Sequence, residues 1–125
     1  MDCKVLIVDD SPILRRAAKK AVLQAGIDEN SIFEAGNGQE ALGVASSQPI
    51  DLVLLDLNMP IMTGIEFMEK VKESTDLSSK FNVIVVSTES NEKKFETLRN
   101  LGVKGFLRKP FEPEELRTMV QKTTR

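Results

Sequence analysis

Val53-Leu54-Leu55-Asp56-Leu57-Asn58-Met59-Pro60 decides how the rest of the chain is read. An apolar run, led in by Ile50 and interrupted by Asp51, climbs through Val53–Leu55 and then meets a carboxylate where burial should continue. So short and nearly unbroken a run reads as a strand covered on both faces, as in a parallel sheet. Pro60 forces the chain into a loop soon afterwards. Asp56 therefore falls at or near the carboxyl end of the strand, the edge at which open α/β sheets bind ligands. Alone, it reads equally as a solvated strand-end residue and as a nucleophile or metal ligand.

Working outward, Val5-Leu6-Ile7-Val8 is a second such run, and it ends in two acids, Asp9 and Asp10. Ser11-Pro12 starts a helix, proline being tolerated in a first turn where its missing N–H costs nothing. Ile13, Ala17, Ala21 and Ala25, with Leu14, Ala18 and Val22 beside them, are predicted to face inward. Arg15, Arg16, Lys19 and Lys20 fall opposite, as a solvated face rather than a docking patch, and Gly26 stops the helix. Ser31–Ala35 is a short strand, Gly36-Asn37-Gly38 a turn, and Gln39 to about Ser46 a brief helix with Ala41, Leu42 and Ala45 inward. Pro49 ends that unit.

Beyond the Asn58–Gly64 loop, Ile65, Phe67, Met68 and Val71 predict a third helix that fades in the polar stretch Glu73–Lys80. Val83–Val86 is a fourth buried strand, ending in Ser87-Thr88-Glu89. Phe95, Leu98 and Leu101 mark a fourth helix closed at Gly102. Gly105–Lys109 is a fifth strand terminated by Pro110, and Glu112–Lys122 a last helix with acids early and bases late, as the helix dipole prefers. Strand then helix, repeated five times without linker or repeat, implies right-handed crossovers and a parallel sheet. The expectation is one domain over residues 1–125, with no effector domain.

Bulk properties narrow the chemistry. With 41% hydrophobic residues among 125, the chain can bury a core without disulfides or a structural metal. Its one cysteine, Cys3, cannot form an internal bridge and reads as a small core residue. The absence of histidine excludes a histidine triad, a histidine-held zinc and histidine as general base. A net charge of −2 gives no electrostatic footprint for nucleic acid. Met1-Asp2-Cys3-Lys4 runs straight into a strand, so no signal peptide is expected, and no apolar run approaches the roughly 18 residues of a membrane helix. The expected location is the cytoplasm.

Several strand ends converge on the carboxyl edge. They carry Asp9 and Asp10, Asp56, Ser87 and Lys109. Three carboxylates crowd together ionised only if a cation neutralises them. All-oxygen ligands, without histidine or thiolate, favour Mg2+, which keeps waters and shares its shell with phosphate oxygens. Lysine offers a compact positive charge to a phosphoryl oxygen and serine a hydroxyl donor. The group reads as a phosphoryl-transfer site with Asp56 as acceptor. Singly, each has an ordinary role: an acid pair that caps a helix, a serine that closes a strand, a solvated lysine.

These same stretches carry a resemblance. Val5–Asp10, Asp56-Leu57-Asn58-Met59-Pro60 with Gly64, Val83–Ser87, and Lys109-Pro110-Phe111 make the sequence similar to response-regulator receiver domains of the stand-alone, CheY-like type, over essentially the whole chain. The resemblance implies a flavodoxin-like (βα)5 fold with strand order 2-1-3-4-5 and helices on both faces, an order of which the CheY fold is itself a standard example. It implies that Asp56 takes a phosphoryl group from a histidine kinase or histidine phosphotransfer protein. Mg2+ would be held directly by Asp10, Asp56 and the backbone carbonyl of Asn58, and by Asp9 at least through water. Lys109 would pair with Asp56 at rest, on a cis Lys109–Pro110 bond. Ser87 would move to donate to the phosphoryl group and Phe106 turn inward behind it. That would remodel the face of the fourth helix, fifth strand and fifth helix, where an output protein or phosphatase would bind, in chemotaxis for instance. The resting protein would be a monomer and no classical enzyme, promoting only its own phosphorylation and dephosphorylation.

Two positions depart from the family pattern. Phe106 stands where tyrosine is frequent, and Thr88 where a smaller residue is usual, so Thr88 is expected to narrow access to the site. Asn58 and Glu89 are expected to flank the phosphoryl group and tune its lifetime. A relay role, passing the phosphoryl group to a phosphotransfer protein, would use the same site. A haloacid dehalogenase-like phosphatase would need a second aspartate where Asn58 stands, and its nucleophile after the first strand.

Overall fold

The computed structural model describes residues 3–123; Met1 and Asp2, read above as leading into the first strand, lie outside them. Five strands form one parallel sheet: β1 (Val5–Val8), β2 (Ile32–Ala35), β3 (Leu52–Leu55), β4 (Asn82–Ser87) and β5 (Gly105–Arg108). Their order is β2-β1-β3-β4-β5, as the resemblance implied. β1 and β3 are buried at every residue, which is why their sequences run apolar rather than alternating.

Five helices cover the sheet: α1 (Pro12–Gln24), α2 (Gly38–Ser47), α3 (Gly64–Glu73), α4 (Glu92–Asn100) and α5 (Pro113–Thr123). α1 and α5 share one face, where Ala21, Val22, Leu116 and Val120 meet Ile7, Leu54 and Ile84. α2, α3 and α4 cover the other, where Ala41, Phe67 and Leu98 meet Leu6, Val53 and Val83. No described helix is long and apolar enough to cross a membrane.

The helix starts follow from capping. Ser11 Oγ accepts the Leu14 N–H, Asn37 Oδ1 the Glu40 N–H, and Asn91 Oδ1 the Lys93 and Lys94 N–H groups. Thr63 and Glu66 form a reciprocal capping box. Gly26 and Gly102 follow α1 and α4 with φ of +98° and +104°, a conformation that favours glycine.

α1 departs from the expected pattern. Ile13 is 73% exposed, Ala17 is exposed and Leu14 is 39% exposed; the buried positions are Ala18, Ala21, Val22 and Ala25. A strict four-residue spacing drifts around a helix of 3.6 residues per turn, so the first turn leaves the core. Nor is the basic face simply solvated. Arg15 pairs with Glu34 at 3.1 Å and Lys19 with Glu29 at 3.3 Å, while Arg16 and Lys20 are exposed.

Candidate functional site

Register builds the site. Val8 is level with both Ala35 and Leu55, and Leu55 with Val85, so Asp9 and Asp56 stand side by side one residue beyond their strands. Backbone bonds extend the pairing: the Asp9 N–H donates to the Ala35 carbonyl at 3.1 Å, Asp56 N–H to Val8 at 2.9 Å and Lys109 N–H to Ser87 at 2.9 Å. Ser87 is level with Arg108, one residue before Lys109. Asp9, Asp56, Ser87 and Lys109 therefore rest on a ladder and not on a free loop.

Asp9 and Asp56 are buried, 6% and 7% exposed, and Asp10 is exposed. Carboxylate oxygens of the three lie within 4.8 Å of one another. Lys109 Nζ is 2.6 Å from Asp9 Oδ2 and 3.6 Å from Asp56 Oδ1. The lysine pairs with Asp56, as the resemblance implied, and makes its shorter, hydrogen-bonded contact with Asp9. The Lys109–Pro110 peptide is cis. Burial pushes the Asp56 carboxyl above its ordinary range; the Lys109 ammonium pulls it down, and the Asp9 charge pushes it up again. The Leu57 N–H donates to Asp56 Oδ1 at 2.9 Å.

Asp9 is tethered on every side. The Ser11 N–H donates to its Oδ1 at 2.9 Å, and Arg15 Nη1 donates to its backbone carbonyl at 2.6 Å. Arg15 escapes a reading of the sequence because its spacing matches a solvated face; that Glu34 lies across from it is visible only once β2 is placed beside β1.

Ser87 is buried, 3% exposed, and its Oγ accepts the Glu89 N–H at 3.2 Å. Thr88 is exposed next to it, and Asn58 is exposed two residues after Asp56. The Glu89 carboxylate turns to its own loop: it accepts from Ser90 and Asn91 N–H at 3.2 Å each and pairs with Lys94 at 2.9 Å. The Lys94 bond leads the interactions that hold its carboxyl below the usual range. Phe106 is half-buried, its ring centroid 4.9 Å from that of Phe95, with the Arg99 guanidinium 5.3 Å above it. A cleft of about 210 Å³ lies beside these rings and is lined by Val85, Ser87, Phe95 and Phe106 among others.

Chemically, the three carboxylates form an all-oxygen set suited to a hard divalent ion, whose octahedral shell spans about 4 Å at Mg2+–oxygen distances of 2.0–2.1 Å. Asp10 and Asn58 are exposed beside the site, while Asp9 and Asp56 are buried and share Lys109. A cation there would relieve the crowding of the acids and leave Asp56 as an ionised nucleophile.

Comparison with known proteins gives the same picture. The family model for the response regulator receiver domain matches residues 5–121. The nitrate/nitrite response regulator protein NarL of Escherichia coli is 38% identical over 112 residues, 90% of this chain, and the chain spans 50% of its length. The chemotaxis protein CheY homolog of Campylobacter jejuni is 31% identical over 119 residues, 94% of this chain and 89% of the relative. The structure of chemotaxis protein CheY4 from Vibrio cholerae superposes with a TM-score of 0.87 at 32% identity, covering 98% of this chain and 99% of that one.

Proposed function

The chain belongs to the response-regulator receiver family, and from that premise we propose that it is a phospho-accepting switch of two-component signalling with Asp56 as the acceptor. The observation that carries this reading is the buried Asp56 held beside Asp9, Asp10 and Lys109 at one sheet edge. In the proposed reaction an Asp56 carboxylate oxygen attacks the phosphorus of a phosphohistidine. The P–N bond breaks, and the imidazole leaves with the bonding electron pair. Asp10, Asp56 and the Asn58 backbone carbonyl would hold Mg2+, with Asp9 acting through water; the ion would screen the anionic phosphoryl oxygens. Lys109 supplies positive charge to one phosphoryl oxygen. Ser87 exchanges its bond with the Glu89 N–H for donation to another.

Once Ser87 swings toward the phosphoryl group, the neighbouring cleft can accept the Phe106 ring. Phe106 carries no hydroxyl, so the signal on the face of α4, β5 and α5 is steric. An output protein or phosphatase reads that face, and the Campylobacter relative, named for chemotaxis and of similar length, supports a chemotactic output. The domain acts in the cytoplasm and is monomeric until phosphorylated. A relay role would keep the same site and differ in the partner.

The test uses phosphoramidate, or beryllium fluoride as a phosphoryl mimic, with Mg2+. Native protein gains one phosphoryl group by mass spectrometry, and Asp56→Asn gains none; an adduct on another residue would sink the proposal. A pull-down with and without beryllofluoride separates switch from relay.

A further inference from the structure

Arg15 does more than close an ion pair. Its Nη1 donates to the Asp9 carbonyl at 2.6 Å, and its Nε to Glu34 Oε1 at 3.1 Å. The two contacts use different nitrogens of one planar group. Glu34, on β2, therefore fixes the plane in which the guanidinium meets the carbonyl. The arginine side chain is 20% exposed and reaches back past the start of its own helix, where the helix dipole disfavours a cation. A purely solvated basic face would not place it there.

The Asp9 carbonyl belongs to the peptide that joins Asp9 to Asp10. Asp9 is also held through its N–H, which donates to Ala35 at 3.1 Å, and through its carboxylate, which accepts from the Ser11 N–H at 2.9 Å and from Lys109 at 2.6 Å. The Arg15 bond adds the orientation of the peptide itself, and with it the direction in which the next residue leaves. Asp10 is exposed and its side chain is short, so that peptide largely decides where its carboxylate sits. In the structure, carboxylate oxygens of Asp9, Asp10 and Asp56 lie within 4.8 Å of one another.

Resting on the proposed Mg2+ site, we infer that Arg15 is a positioning residue for the ion: clamped by Glu34, it orients the Asp9–Asp10 peptide so that the Asp10 carboxylate stands beside that of Asp56. Arg15 acts through Asp10 and is not itself a ligand. Its positioning effect opposes the effect of its charge, because a cation beside the acids repels Mg2+. The sign of the change on removing it therefore separates the roles. Losing only a nearby charge tightens Mg2+ binding. Losing only a fold contact lowers the melting point and leaves binding alone. Losing a positioning residue weakens binding, and partners that orient metal ligands typically act at about tenfold or more in affinity.

The experiment follows Mg2+ titrations by the amide NMR shifts of Asp9, Asp10 and Leu57 in native protein, Arg15→Met, Glu34→Ala and Lys19→Met. Arg15→Met keeps an apolar stem and removes the fork. Glu34→Ala, at a side chain 41% exposed, tests the clamp even where Arg15→Met fails to fold. Lys19→Met is the control: it removes a cation from the same helix, one that pairs with Glu29 at 3.3 Å. Arg15→Met is expected to bind Mg2+ about tenfold more weakly than native and Glu34→Ala about threefold more weakly, with Lys19→Met unchanged. At saturating Mg2+, phosphoramidate is expected to phosphorylate every variant at the native rate, because the Asp10 ligand is displaced and not lost. Binding unchanged or tighter in Arg15→Met and Glu34→Ala, an equal weakening in Lys19→Met, or slow phosphorylation at saturating Mg2+ overturns the inference. Native amides that ignore Mg2+ altogether would take down the ion site itself, and the inference with it.

Discussion

Burial is the largest influence on Asp56 and raises its carboxyl above the ordinary range; the Lys109 ammonium opposes this, the Asp9 charge adds to it, and the Leu57 and Asn58 N–H groups draw it back. A raised acid binds its proton more tightly in the folded state than in the unfolded one. Its ionisation therefore weakens the fold as pH rises through the folded value. Asp56→Asn keeps an acceptor for the Leu57 N–H and removes the charge. It is expected to raise stability at pH 7, because the folded state no longer holds an ionised carboxyl in a buried place. The gain should shrink as pH falls toward 4, and thermal melts of both proteins across that range check it. Thr88 stands exposed beside Ser87, and its proposed role is to narrow the approach to Asp56. Thr88→Ala is expected to exchange phosphoryl groups severalfold faster with small donors, measured by rapid quench. A native protein of equal or greater speed removes that role.

At the scale of elements, the loop from β3 to α3 holds the acceptor by close packing. A Cβ added to Gly64 would lie 2.5 Å from the Asp56 carbonyl oxygen and 2.9 Å from the Leu57 Cα, neither of which is the end of a flexible side chain. α3 can start against the end of β3 only because that Cβ is missing. Gly64→Ala is expected to cost about 1–3 kcal/mol, as overpacking does. It should also slow phosphorylation by displacing the Asp56 backbone; urea melts and phosphoramidate kinetics measure the two. Gly38 has the same function on the other side of the loop, where a Cβ would lie 2.8 Å from the Met62 carbonyl oxygen. Gly64 belongs to a motif legible in the sequence, whereas the tightness around Gly38 is not visible there. Its neighbour Met62 is 24 residues further along the chain.

For the whole molecule, the sheet was legible because β1, β3 and β4 are sheltered on both faces, and near-continuous apolar runs of that length fit little else. The acids and Ser87 were legible because they stand where such runs stop, and Lys109 because Pro110 closes the fifth strand directly after it. Less could be read where a residue's surroundings come from distant segments. Ile13 looks like core by spacing and is exposed, because no element covers the first turn of α1. Arg15 looks solvated and instead joins the Asp9 carbonyl to Glu34 of β2. Lys109 pairs with Asp56 as expected, but its closer partner, Asp9, was not foreseen. That last arrangement divides labour between two adjacent acids. Asp9 is moored by main chain, arginine and lysine alike, while Asp10 stands in water. An ion arriving there would therefore be grasped by the unmoored member of the pair, and the ordering it demands would fall on one short surface side chain while the frame behind it stayed still.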